Sequence, residues 1–342
     1  MKYVDYIMKT AVELLAVPSP TGFTHKAAKF LVNELTEMGY EPKVTRKNAV
    51  VVDLGGEDKE DGIVLAAHID TLGAMVTQIG GDGRLQLINV GGVRATSVEG
   101  ENCKIYTRDG RVYDATFQIK DASIHVNDNF ETAKRDYKGM EAVIDELVYS
   151  KADVEKLGIM VGDFVCFDPR TTITESGFIK SRFLDDKFSA SILLGYAKYL
   201  KEENVTPKRR IYLMFTSYEE VGHGGAASIP EGVTEMISVD MGCVGVGLGC
   251  DETMVSICAK DSFSPYDYDV TTALINIAKE KELGFAVDVY PHYSSDVDAT
   301  LKAGYDIRHA LVGPGVYASH AYERSHKLGA KNTFELLKGY LG

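Results

Sequence analysis

Apolar residues recur at helical spacing over residues 3–16, where Val4, Ile7, Met8, Ala11, Val12, Leu14 and Leu15 share one broad face. The pattern predicts a helix that Pro18, Pro20 and Gly22 stop. A second helix is expected from Thr24, whose hydroxyl is placed to cap it, through Phe30, Leu31, Leu35 and Met38 to Gly39. Val44 and residues 50–54 read as strand, and the unbroken apolar run 63–67 as a strand buried on both faces. From about residue 73 to 178 the texture changes to short β-like runs such as 85–90, 104–106 and 164–167, with 138–157 the main helical region. Alternation then returns: helix at 190–200, strands at 211–216 and 236–239, helix at 270–281. This order predicts an α/β domain in two pieces, residues 1–72 and 179–342, interrupted by a small β-rich insertion over residues 73–178.

Composition narrows what such a domain does. The apolar fraction of 45% supports a sizeable core, while a net charge of -13 without a long Lys or Arg run argues against nucleic acid or an anionic membrane as partner. Lys2, Asp5, Lys9 and Glu13 interrupt the first apolar stretch, so it lacks the continuous run of a signal peptide, and no segment is apolar enough to span a bilayer. The five cysteines are odd in number and form no CxxC pair, which fits thiols in a reducing cytoplasm.

The acidic residues gain meaning from their positions. Open α/β sheets bind ligands beyond the carboxyl ends of their strands. The run 63–67 leads to His68 and Asp70, residues 211–216 to Glu219 and Glu220, residues 236–239 to Asp240, and residues 178–179 precede Asp185 and Asp186. One such coincidence is cheap, because acids after strands are common in loops; a series of them is not. Hydrolysis of an amide near neutral pH needs a strong nucleophile and a means of holding charge on the carbonyl oxygen. Two divalent metals roughly 3.5–4 Å apart meet both needs by acidifying a water between them, and a separate carboxylate must stay unligated to move the proton.

These segments resemble the M42 family of metallo-aminopeptidases, the group of glutamyl aminopeptidases and tetrahedral TET peptidases. The matches are Ser19-Pro20-Thr21-Gly22, His68-Ile69-Asp70, Arg182-Phe183-Leu184-Asp185-Asp186-Lys187, Glu219-Glu220-Val221-Gly222 and Val239-Asp240. The resemblance implies a phosphorylase/hydrolase-like zinc-peptidase domain carrying a β-rich dimerisation domain. It implies that Asp185 bridges two metals and is followed by Asp186 through a cis peptide. His68 and Asp240 then complete one metal, and Glu220 with a C-terminal histidine completes the other. That histidine reads as His320, with His326 as the alternative, because Tyr317-Ala318-Ser319-His320 has one residue more than the usual spacing. Glu219 is the implied general base for a water held by the metals, and Asp70 is implied to accept the second ring proton of His68. Tyr293-Ser294-Ser295-Asp296 stands where many members carry Gly-Gly-Thr-Asp, a departure that falls on the substrate pocket.

Imidazole and carboxylate ligands without thiolate suit Zn, Co or Mn. The expected activity is removal of N-terminal residues from peptides in the cytoplasm by a homo-oligomer, either dimers or a tetrahedral dodecamer. Two other readings remain: a silent peptidase fold used as a binding or scaffold protein, and a glycoside hydrolase using Glu219 and Glu220. The absence of Trp and the opposite facing of neighbouring strand residues weigh against the latter. His25, His125, His223, His292 and His309 are expected in surface or core roles.

Overall fold

A computed structural model describes residues 2–342. The chain forms two compact units, one built from the chain up to Asp70 and again from Arg170 to Gly342, the other from Thr71–Pro169.

In the first unit, the apolar run 63–67 lies within strand β3 (Asp58–His68), whose residues 62–68 are buried. Two parallel neighbours enclose it, β12 (Arg209–Thr216) and β13 (Val233–Val239), with Thr216 opposite His68 and Ser238 opposite Ala66. This double enclosure explains why the run carries no polar alternation. β17 (Arg308–Tyr317) continues the parallel set beside β13. On the far side, β2 (Val50–Gly55) and β1 (Lys43–Val44) close the sheet as antiparallel strands. Beyond β17 lie β18 (Glu323–His326), β11 (Phe178–Ser181) and β10 (Thr172–Ile173), all antiparallel to their neighbours. Short strands β14 (Gly242–Val244), β15 (Val255–Lys260) and β16 (Phe285–Val289) pair around β17.

Helices α1 (Lys2–Leu15), α4 (Leu184–Glu202) and α7 (Lys327–Leu341) pack against one another, and α4 also lies on β3. A buried cluster including Val64, Met214, Met236, Tyr290, Val297 and Leu311 joins the strands to α6 (Asp296–Lys302). The remaining helices of this unit are α2 (His25–Glu37) and α5 (Tyr268–Glu280).

The second unit is a closed barrel of β4 (Gly73–Ile79), β5 (Leu85–Val90), β8 (Met140–Ile144), β7 (Val112–Ile119), β6 (Glu101–Tyr106) and β9 (Phe164–Phe167), in that spatial order. Val76, Leu87, Ile105, Phe117 and Ala142 are buried, and closure removes the exposed strand edges.

Two local expectations are corrected. Thr24 precedes α2 but makes no side-chain cap bond, because its backbone is already helical (φ -88, ψ -3) whereas a capping hydroxyl needs extended geometry. Residues 138–157 are mainly not helical. Met140, Ala142 and Ile144 alternate with half-buried residues and form β8, leaving only α3 (Lys151–Lys156), which Ser150 caps by accepting from the Asp153 N–H. Among the described residues no helix is long and apolar enough to cross a membrane.

Candidate metal centre

The sheet delivers its polar residues where the parallel strands end. β3 closes on His68, and register places Thr216, the last residue of β12, directly beside it. Three residues later Glu219 opens a 3₁₀ turn, Glu219–Val221. On the other flank β13 ends at Val239, and the N–H of the next residue, Asp240, donates to the Val312 carbonyl at 3.0 Å. β11 leads into Phe183, held at φ +69, and then into the cis Asp185–Asp186 peptide at the kinked start of α4. His320 sits at φ +64 in the turn between β17 and β18.

Five of these residues converge into two overlapping groups. His68, Asp185 and Asp240 form one and Asp185, Glu220 and His320 the other, each offering ligand atoms within 4.8 Å of one another. His68 Nε2 lies 3.0 Å from Asp185 Oδ1, while His320 Nε2 lies 3.6 Å from Asp185 Oδ2 and 3.5 Å from Glu220 Oε2. Asp185 therefore faces both groups with different oxygens. Glu219 belongs to neither, yet its Oε2 is 3.7 Å from His68 Nε2. His326 is elsewhere: its Nδ1 accepts from the Leu328 N–H at 3.1 Å, at the start of α7, and its Nε2 faces the Ser176 carbonyl at 2.8 Å.

Asp70 differs from expectation. The ring Nδ1 of His68 is 2.9 Å from the Asp70 backbone carbonyl and 3.7 Å from its carboxylate. The carboxylate is occupied instead by the Thr21 hydroxyl at 2.6 Å and by the N–H groups of Glu219 and Glu220 at 3.2 and 3.4 Å. A carbonyl only accepts, so it places the hydrogen on Nδ1 and directs Nε2 toward the centre. The glutamate pair is also not on a strand. Both lie on one turn, which lets Glu219 approach His68 while Glu220 approaches His320.

Electrostatics mark the same residues. Burial, followed by the Asp185 carboxylate, pushes Asp240 up to about 7 and Glu220 well above the carboxylate range. Glu219 is raised well above that range by burial, with His68 opposing and Asp240 and Asp296 adding. His68 resists the lowering effect of its own burial because Asp185, Glu219 and Asp240 surround it, and its pKa is raised well above the imidazole norm. Glu220 Oε1 is buried with no hydrogen-bond partner. Buried acids crowded around one imidazole, with an orphaned carboxylate oxygen among them, are a donor set that divalent cations satisfy.

Sequence reasoning assigned no role to two carboxylates that support this set. Asp296, 3% exposed, accepts the Thr216 hydroxyl at 2.5 Å and is pushed by burial to about 6. Glu323, 2% exposed, accepts the N–H of Asp185 through Oε2 and that of His320 through Oε1, each at 3.1 Å. Glu323 follows His320 by three positions, the only sequence signal it gave. Of the other histidines, His223 stacks on Tyr218 with centroids 5.0 Å apart, and the Lys47 ammonium binds its carbonyl at 2.6 Å.

The family model for M42 glutamyl aminopeptidases matches residues 48–336. The chain is 42% identical to YhfE of Bacillus subtilis (strain 168), a protein named as a candidate aminopeptidase, over all of this chain and 99% of the relative. Among solved structures it is similar to a TET aminopeptidase from a marine-sediment Thaumarchaeota archaeon, with TM-score 0.88, 17% identity, 98% of this chain and 96% of the other covered. It is also similar to the Pyrococcus horikoshii TET1 peptidase, described as assembling into a tetrahedron or a large octahedral shell, with TM-score 0.85, 18% identity, 97% of this chain and 98% of the other covered. The mixed α/β fold with its small closed barrel is the fold of these structures, as the resemblance implied. A match of this extent, joined to full-length similarity, shows that the chain belongs to the M42 glutamyl aminopeptidase family of peptide-bond hydrolases.

Proposed function

We propose that the chain is a two-metal aminopeptidase that removes N-terminal residues from peptides, with His68 and Asp240 holding one divalent ion, Glu220 and His320 the other, and Asp185 shared. The observation that carries this reading is the pair of overlapping ligand groups meeting at Asp185. The residues suit the ions by their chemistry: among the described residues the donors that converge are carboxylate and imidazole, and the free Oε1 of Glu220 is the kind of buried acceptor a cation relieves. Zn, Co and Mn all accept such donors.

When bound, such a pair supplies a water whose pKa falls from 15.7 toward about 7 and a Lewis acid for the scissile carbonyl. The protein's part is proton transfer and orientation. Glu219 stands outside both ligand groups, and its Oε2 takes the water proton and returns it to the leaving amine. Asp70 fixes Glu219 and Glu220 through their backbone N–H groups and, by its carbonyl, turns His68. Tyr293, whose hydroxyl donates to the Met241 carbonyl at 3.0 Å, stands beside Asp240.

Self-association belongs to the same proposal. The TET1 relative assembles into shells, and the barrel unit of this chain exposes Val126, Leu147 and Tyr149 at 73%, 86% and 76%, apolar side chains that suit burial against another copy. Free cysteines throughout the described residues agree with a cytoplasmic setting. The test is release of an N-terminal residue from a short peptide, abolished by chelation and restored by Zn, Co or Mn. Undiminished hydrolysis after complete metal removal overturns the reading.

A further inference from the structure

The two ligand groups are held in different ways. His68 ends a strand enclosed by two parallel neighbours, and Asp240 is tied into the β17 ladder, so ladder register places both backbones. His320 has no ladder position. It lies in a turn with two non-glycine residues in the left-handed region, Ala318 at φ +60 and His320 itself at φ +64, and its side chain is 41% exposed. Left-handed backbone at alanine and histidine is unfavourable and persists only where surrounding contacts hold it.

We propose that Glu323 is the positioning residue for this half of the centre: its single carboxylate clamps the backbone of Asp185 and the backbone of His320, so that both side chains face the same ion. The inference rests on the two-metal reading above. Glu323 is the first residue of β18 and stands opposite Ser181, the last residue of β11. The chain runs forward from Ser181 to Asp185 and backward from Glu323 to His320, so the clamp sits where the two ligand-bearing segments diverge. Its oxygens divide the work, Oε2 accepting from Asp185 and Oε1 from His320.

The chemistry requires two acceptors in one planar group. A carboxylate provides them, whereas a carboxamide of the same shape provides one acceptor and presents an N–H₂ to the other N–H. Glu323→Gln therefore breaks one tether while preserving volume. Glu323→Asp, one methylene shorter, reaches only one of the two N–H groups.

The experiment titrates the metal-free full-length chain with Co²⁺, followed by calorimetry and visible absorption, for wild type, E323Q, E323D and H320A. Melting of each metal-free form checks folding, and E323D stands in if E323Q does not fold. Wild type is expected to take up two equivalents. In E323Q the step that His320 serves weakens roughly 10- to 100-fold, the scale found for groups that orient metal ligands. The other step, which shares Asp185 but not His320, weakens less, H320A weakens the same step as E323Q, and excess Co²⁺ restores most of kcat in E323Q. Unchanged isotherms, or equal weakening of both steps as loss of a charge alone would give, overturn the clamp. A wild-type chain that takes up no second equivalent overturns the two-metal reading itself, and the clamp with it.

Discussion

The Asp70 carbonyl oxygen, at 2.9 Å, and not its carboxylate, at 3.7 Å, faces Nδ1 of His68. Asp70 thus serves two partners with two groups: its backbone orients the imidazole, and its side chain ties down the turn that carries Glu219 and Glu220. Asp70→Asn keeps the carbonyl but weakens the turn. It is expected to retain metal at His68 while kcat falls roughly 10- to 100-fold. Metal content and kcat measured on one preparation check this; loss of the metal held by His68 would show that the carboxylate orients the ring after all.

Glu219 lies near His68 without joining either ligand group. Glu219→Gln is expected to lower kcat by about 10²- to 10⁴-fold, the usual worth of a positioned base, with metal stoichiometry and KM nearly unchanged. A variant that loses a metal equivalent would reassign Glu219 as a ligand.

Stability at the α1–α4 contact depends on a missing side chain. A Cβ added at Gly195 would fall on Ile7 Cγ1, and Ile7 is fully buried. Gly195→Ala is expected to cost about 1–3 kcal/mol through overpacking, more than the helix propensity it gains, which is at most about 1 kcal/mol. A lowered Tm with normal kcat per folded molecule is the expected result of thermal unfolding and assay.

A pH effect resides outside the metal centre. Burial and the facing Asp261 carboxyl raise Asp298 to about 7, while Asp261 itself accepts from the Tyr266 hydroxyl at 2.7 Å. An unfolded aspartate titrates near 4, so between about pH 4 and pH 7 the folded chain holds a proton the unfolded chain has released. Stability contributed by that proton is present at low pH and is lost as pH rises toward 7. Asp298→Asn never ionises and removes this slope, so its stability relative to wild type is expected to increase from pH 5 to pH 8 in denaturant melts. Parallel profiles would show that Asp298 titrates normally.

Legibility followed the range of the signals. Residues 63–67 announced β3 because a strand enclosed on both sides must be apolar throughout, and the polar residues at or just beyond the ends of β3, β12 and β13 then stood out against such runs. The alternation at Met140, Ala142 and Ile144 was present in sequence, but neighbouring helix formers obscured it. Closure of six strands into a barrel depends on pairings such as Ala74 with Val165, far apart in the chain, which no local pattern encodes. The same limit hid Glu323, which reaches Asp185 across 138 positions. Asp70 was legible as a residue beside His68, whereas the choice between its carbonyl and carboxylate was set by Thr21 and the glutamate turn.

The most direct measurement is peptide hydrolysis by the metal-free chain as Zn²⁺, Co²⁺ or Mn²⁺ is added in known equivalents. The two overlapping ligand groups predict no N-terminal residue released without metal and full activity as the second equivalent is bound. Activity that persists in chelator, or that is complete at a single equivalent, would contradict the two-metal account.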